Sequence, residues 1–292
     1  MKYILTTTLL LLLGASLQGQ DAAWQTFKDR WVINSPSVEV LSPGKLDVRI
    51  GHRFGDFAGD AGGWSTLYGL ENAADVSIGF EYGLLQNLTA GFSRSKGAGP
   101  LRQLLHGSLK YRAQSQSDQG APLSLTLFGL ATLSTAEGSE DPASINYFEV
   151  FPHRLVYHFS AIAARKFSDR LSLQLSAGLT HRNVVPSGED NSLAHAGGAL
   201  RLKLTKVVSF IGDLTLPLNG EQSPFKSLQP TDANYRLPLG LGLEFDTGGH
   251  VFQLNFTNTT GIMPTDYIPY TRSDWTEGQF RIGFTISRMF SL

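Results

Sequence analysis

The sequence contains no cysteine. That excludes a disulfide framework and a lipid-modified cysteine. It also lacks an excess of either charge: 24 Lys and Arg stand against 25 Asp and Glu, for a net charge of -1. Neither a nucleic-acid footprint nor an acidic tail is present, and no nucleic-acid partner is expected. Long apolar runs are scarce. Beyond the first nineteen residues, no segment stays apolar for the ~18 residues that a membrane-crossing helix needs. Helical membrane proteins are greasier than a chain with 41% hydrophobic residues and a mean hydropathy of -0.08.

What is present is alternation. In the last strand, Gln279 to Met289, one parity carries Phe280, Ile282, Phe284 and Ile286, and the other Arg281, Gly283, Thr285 and Ser287. A period of two makes one face apolar and the other polar. The length suits a tilted membrane strand, and Phe290 near the C-terminus suits an interfacial aromatic girdle. Eleven earlier stretches repeat the pattern, most cleanly Leu171 to Thr180, while Val207 to Leu216 is ambiguous in register. Connections after odd strands are mostly long and those after even strands mostly short. We therefore expect an all-β fold: a transmembrane antiparallel up-and-down β-barrel of about twelve strands, both termini periplasmic, in the outer membrane of a Gram-negative bacterium. A soluble secreted β-sandwich is the alternative; it would not need so many strands with one consistently apolar face.

Met1 to Gly19 reads as a signal peptide, with Lys2 at its start, Leu9 to Leu13 in its apolar region and small residues before the cut. Residues 20–44 show no clean alternation. They carry Trp24, Phe27, Trp31 and Val38, and read as a periplasmic N-terminal segment or small plug. Residues 45–292 form the barrel.

Several stretches together resemble a known family. They are Thr26–Ser35 (TFKDRWVINS), Leu46–Asp56 (LDVRIGHRFGD), Ile78–Gly83 (IGFEYG) with Asn87–Gly91 (NLTAG), and Ser93–Pro100 (SRSKGAGP) with Lys110–Arg112. The family comprises bacterial outer-membrane β-barrel proteins with a domain of unknown function. The resemblance is strongest over the first third. It implies a barrel and a location, and supplies no active residues.

Chemistry-bearing clusters are few. His158 and Ser160 lie two apart on one strand face, the spacing of a His base and Ser nucleophile in outer-membrane phospholipases. A lipid hydrolase is the resulting enzymatic alternative, although the pair points to the lumen by parity and lacks an orienting third residue. Asp56, Asp60, Glu71 and Asp75 cluster in the first long loop and could hold calcium, but their spacing matches no known loop. Gly97–Pro100 is a turn, because no Lys-Ser/Thr follows it. No cofactor is expected.

Asp47, Arg49, Glu81, Lys110, Arg112, Arg201, Lys203, Glu244 and Arg281 face the lumen by parity. They either pair and fill a narrow interior or line a path for anions. Asp47, Glu81 and Glu244 are too few to neutralise Arg49, Lys110, Arg201, Lys203 and Arg281. Water must enter, or loop acids such as Asp56, Asp60 and Glu71 must fold into the mouth. The functional expectation is a small channel, binding or structural envelope protein. Expected partners are outer-membrane lipid, the barrel-assembly machinery through the C-terminal strand, and a small solute or surface ligand.

Overall fold

The computed structural model describes residues 24–185, 191–218 and 236–292. The expected signal peptide lies outside these residues. Two-residue strands β1 (Trp31–Val32) and β2 (Ser35–Pro36) pair with each other. The barrel follows, built from β3 (Lys45–Phe54), β4 (Ala73–Leu85), β5 (Leu88–Ser95), β6 (Leu104–Gln114), β7 (Ser124–Ser134), β8 (Leu155–Lys166), β9 (Leu171–Arg182), β10 (Ser192–Lys203), β11 (Val208–Pro217), β12 (Leu239–Asp246), β13 (His250–Thr257) and β14 (Arg281–Ser291). These twelve strands form one closed antiparallel barrel. The seam joins β14 to β3, with Ile286 opposite Ile50 and Phe290 opposite Leu46. Closure has a physical cause. Lipid offers no hydrogen bonds, so a sheet edge left open in it costs several kcal/mol per backbone group.

Alternation sets the two faces. On β9, Leu173, Leu175 and Leu179 are exposed outward, while Ser172, Gln174 and Thr180 are buried inside. Ile50, Phe80, Phe92, Leu109, Leu127 and Leu254 continue the outward apolar belt. A belt of this extent is the surface of a barrel whose solvent is lipid. One end of the barrel carries the short connections, such as residues 86–87, 167–170, 204–207 and 247–249. The other carries long ones, including 55–72, 135–154 and 258–280.

The interior departs from simple alternation. Phe128 and Leu130 of β7, Ile162 and Ala164 of β8, Ala199 of β10 and Ile211 of β11 are apolar at inward positions. They pack with Phe27, Trp31, Val32, Ile33 and Val38, which precede the barrel in the chain, and with Met263 after β13. Trp31 meets Phe128 edge-to-face, with ring centroids 5.7 Å apart.

Residues 24–44 thus run inside the barrel. Both legs are tied to the short-turn end: the Trp24 amide donates to Gln116 O at 3.0 Å, and the Gly44 amide to Gly83 O at 3.2 Å. Between them lies the β1–β2 hairpin, with its tip at Ile33 and Asn34. Ile33 has a φ of 53°, which a β-branched residue rarely adopts. Burial of its side chain holds it there. The wall is cut away to fit. A Cβ on Gly240 would lie 2.7 Å from Ile33 Cγ2, and one on Gly83 would lie 2.1 Å from Ser42 O.

From the long-loop end, helix α1 (Pro264–Tyr270) folds inward, and all its residues are buried. Pro264 opens it, where a missing N–H costs nothing.

Candidate functional site

At its base the hairpin is held by charge. Arg30 lies 2.6 Å from Asp47 and 3.4 Å from Asp29. Arg49 pairs with Asp29. Trp31 Nε1 donates to Glu81 at 2.7 Å, and Lys110 Nζ donates to Arg30 O at 3.1 Å. Arg201 bonds Glu244 at 2.6 Å. Thus Asp47, Arg49, Glu81 and Lys110 are all engaged by the hairpin. The partners come from Asp29 and the Arg30 carbonyl, where the sequence suggested loop acids; Asp60 and Glu71 are exposed. Arg281 donates to Ser273 Oγ at 2.8 Å and Asn258 O at 3.3 Å, and the charge of Asp56, one of the expected loop acids, acts on it. Arg112 and Lys203 are half-buried near the short-turn end.

A two-strand hairpin has two open edges, whose backbone groups need partners inside a barrel. Two glutamines supply them. Gln174 accepts from Val38 N at 3.0 Å and donates to Pro36 O at 2.9 Å. Gln253 accepts from Ile33 N at 3.3 Å and donates to Trp31 O at 2.9 Å. Thr126 donates to Val38 O at 2.7 Å, and Thr89 accepts from Leu41 N at 2.8 Å.

At the tip, buried Asp213 accepts from Asn34 Nδ2 at 2.9 Å, Asn34 N at 3.2 Å and Ser35 Oγ at 2.8 Å. Thr259 donates to Asn34 Oδ1 at 3.1 Å and receives Arg53, which also donates to Gly261 O at 2.7 Å. Here the hairpin meets the inward-folded loop.

That loop is latched by two carboxylates. Asp75 accepts from Ile262 N at 2.9 Å and Gly97 N at 3.0 Å. Asp266 on α1 accepts from Ala98 N at 2.8 Å and Gly99 N at 2.9 Å. Burial and the nearby Asp75 charge push the Asp266 carboxyl up to about 7, against the pull of the two amides and Arg102. Beside the latch is a cavity of about 470 Å³, lined by Ala98, Gly99, Pro100, Arg102, Ile145, Tyr270 and Arg272. Burial lowers the Arg272 guanidinium from its ordinary value.

The remaining candidates are not assembled. His158 Nδ1 bonds Thr180 Oγ1 at 3.0 Å, and its ring stacks on His195 at 5.0 Å. Ser160 is only 2% exposed, and among the described residues its Oγ has no hydrogen-bond partner. Asp75 is buried in the latch, apart from exposed Asp60 and Glu71, with Asp56 between these extremes. Among the described residues, no group of three or more His, Cys, Asp or Glu side chains could hold a metal ion.

The stretches that carried the family resemblance converge on these two structures. WVINS is the hairpin, LDVR, IGFEYG, NLTAG and Lys110 line its seat, and KGAGP is held by the latch. Asp213, Gln174, Gln253 and Asp266 were not singled out from sequence. The available signal was the set of apolar residues at inward positions, since a watery lumen has no use for Phe128, Leu130 or Ile162.

A family profile described as "Membrane bound beta barrel domain (DUF5777)" matches residues 27–290. Among solved structures, the fold is similar to the NanC porin (10% identity, 85% of this chain and 100% of that chain, TM-score 0.49). It is also similar to the KdgM porin (7% identity, 84% and 99%, TM-score 0.47). A third is an outer membrane channel from Pseudomonas putida F1 (14% identity, 86% and 97%, TM-score 0.46). No curated protein matches the sequence.

Proposed function

We propose a function for a chain that belongs to the DUF5777 family of membrane-bound β-barrel domains: it is an outer-membrane barrel closed from both ends, serving as a binding or structural protein of the envelope rather than an open pore. The observation that carries this reading is the apolar seat of the hairpin. Phe27, Trp31, Val32, Ile33 and Val38 are all buried against the wall. Each such side chain contributes about 1.5–3 kcal/mol relative to exposure, so thermal motion alone does not eject the segment. Of the inward cations, Arg49 and Lys110 find partners in the hairpin, Arg201 in Glu244 and Arg281 in Ser273, so these four need no water-filled anion path to solvate them. The short-turn end is read as periplasmic and the long-loop end as external, as in other barrels of this kind. Lipid hydrolysis is disfavoured by the burial of Ser160 behind the wall.

Planar-bilayer recording tests the reading. The purified protein is expected to be silent. A variant lacking residues 24–43, and the milder Phe27→Ala/Trp31→Ala double variant, are expected to conduct. Steady conduction by the unmodified protein, at the level of the deletion variant, would overturn it.

A further inference from the structure

We propose that the long-loop end carries a binding site for a small organic anion of the phosphate-ester or carboxylate class, in the cavity between Arg102, Arg272 and Tyr270. The proposal deepens the preceding one, resting on its reading of a closed binding barrel whose long-loop end is external.

The cavity, about 470 Å³, falls within the size range of small-molecule sites. Its floor is fixed. Asp266 holds the amides of Ala98 and Gly99, and Gly99 sits so close that a Cβ would lie 2.6 Å from Tyr270 Cδ2 and 2.4 Å from Asp266 Oδ1. Only a glycine lets the loop lie flat against the helix there. The Asp266 carboxyl faces these amides, while two guanidinium groups line the cavity. Arg102 gives one N–H to Gly97 O at 2.5 Å, and a guanidinium has five to give.

A third cation lies behind the wall of the site. Arg182 stacks under the Tyr270 ring at 5.1 Å and is 3% exposed, and among the described residues its Nε and Nη1 have no hydrogen-bond partner. Its charge adds to the positive potential beneath Tyr270. Planar guanidinium groups match the oxygen pairs of phosphate and carboxylate, so a solute carrying such a group gains charge-assisted hydrogen bonds on entering the cavity. A neutral solute of the same size gains none of this.

Calorimetric titration of the folded, detergent-solubilised protein separates the possibilities, with glucose 6-phosphate and glucose as probes at matched ionic strength. Glucose 6-phosphate is expected to bind with a Kd below about 1 mM, and glucose at least about tenfold more weakly. The Arg102→Gln/Arg272→Gln variant is expected to lose at least about tenfold in glucose 6-phosphate affinity. Its folding is checked by heat-modifiable electrophoretic mobility. Ile145→Trp, which fills the cavity without changing charge, should weaken binding comparably. Equal binding of the two probes, no binding of glucose 6-phosphate, or unchanged affinity in the charge variant would overturn the proposal. Conductance is a separate readout, so a failure here is distinguishable from a failure of the closed-barrel reading.

Discussion

Gly240 has no side chain because Ile33 and Asp213 occupy the space that one would need. Gly240→Ala is expected to push the hairpin tip off its seat, at a cost of about 1–3 kcal/mol for overpacking. Faster protease cleavage within residues 24–44, with the barrel still folded, would register it. Outside, the rule is set by lipid. Leu175 is 71% exposed on the apolar face, so Leu175→Arg is expected to destabilise by about 2–4 kcal/mol near the bilayer midplane. Unfolding from bilayers measures that cost. Leu175 was legible as outward from the alternation alone. Gly240 was not, because alternation assigns a face and is silent about what lies against it. Phe128 and Ile162 mark where alternation stops: they break the pattern, and only a filled interior explains why.

The hairpin and α1 are elements that local sequence could not announce. A ladder of two residues a side is too short to show a period, and its anchors are remote: Asn34 and Asp213 are separated by 179 positions. The apolar content of residues 20–44, without any alternation, left plug and periplasmic segment equally open. The latch at α1 has a consequence for pH. Asp266 in the docked loop has its carboxyl pushed up to about 7, whereas a solvated Asp titrates near about 3.9. The docked loop therefore holds the proton more tightly. Docking is favoured below the solvated value and weakens as pH rises through the docked one. Around the carboxyl stand Asp75, Arg102 and the amides of Ala98 and Gly99. Intrinsic-rate-corrected hydrogen exchange across 262–271 is expected to be faster at pH 8 than at pH 5. Asp266→Asn should remove most of that difference, while a difference that survives the substitution would point to another group.

For the molecule as a whole, twelve strands, their order and their facing followed from period and connection length, which are local properties repeated many times. How the lumen is filled depends on contacts between the start of the chain and nearly every strand, and no local pattern encodes that. The placement of the two legs of residues 24–44 has a topological consequence. A segment entering one end of the barrel and leaving by the other would be threaded, and the wall would have to close around it. Here both legs share the short-turn end, with Trp24 tied beside Gln116 and Gly44 beside Gly83. Among the described residues, the stretch ahead of β3 does not cross from one end of the ring to the other. The segment can enter after the β3–β14 seam has formed, and it can be drawn out again without parting any strand from its neighbour. Single-molecule pulling on an N-terminal handle should thus show a first release of about 70 Å, the extended length of residues 24–44, before the first strand yields. A trace that begins instead with the loss of β3 would mean that the hairpin and the wall come apart only together.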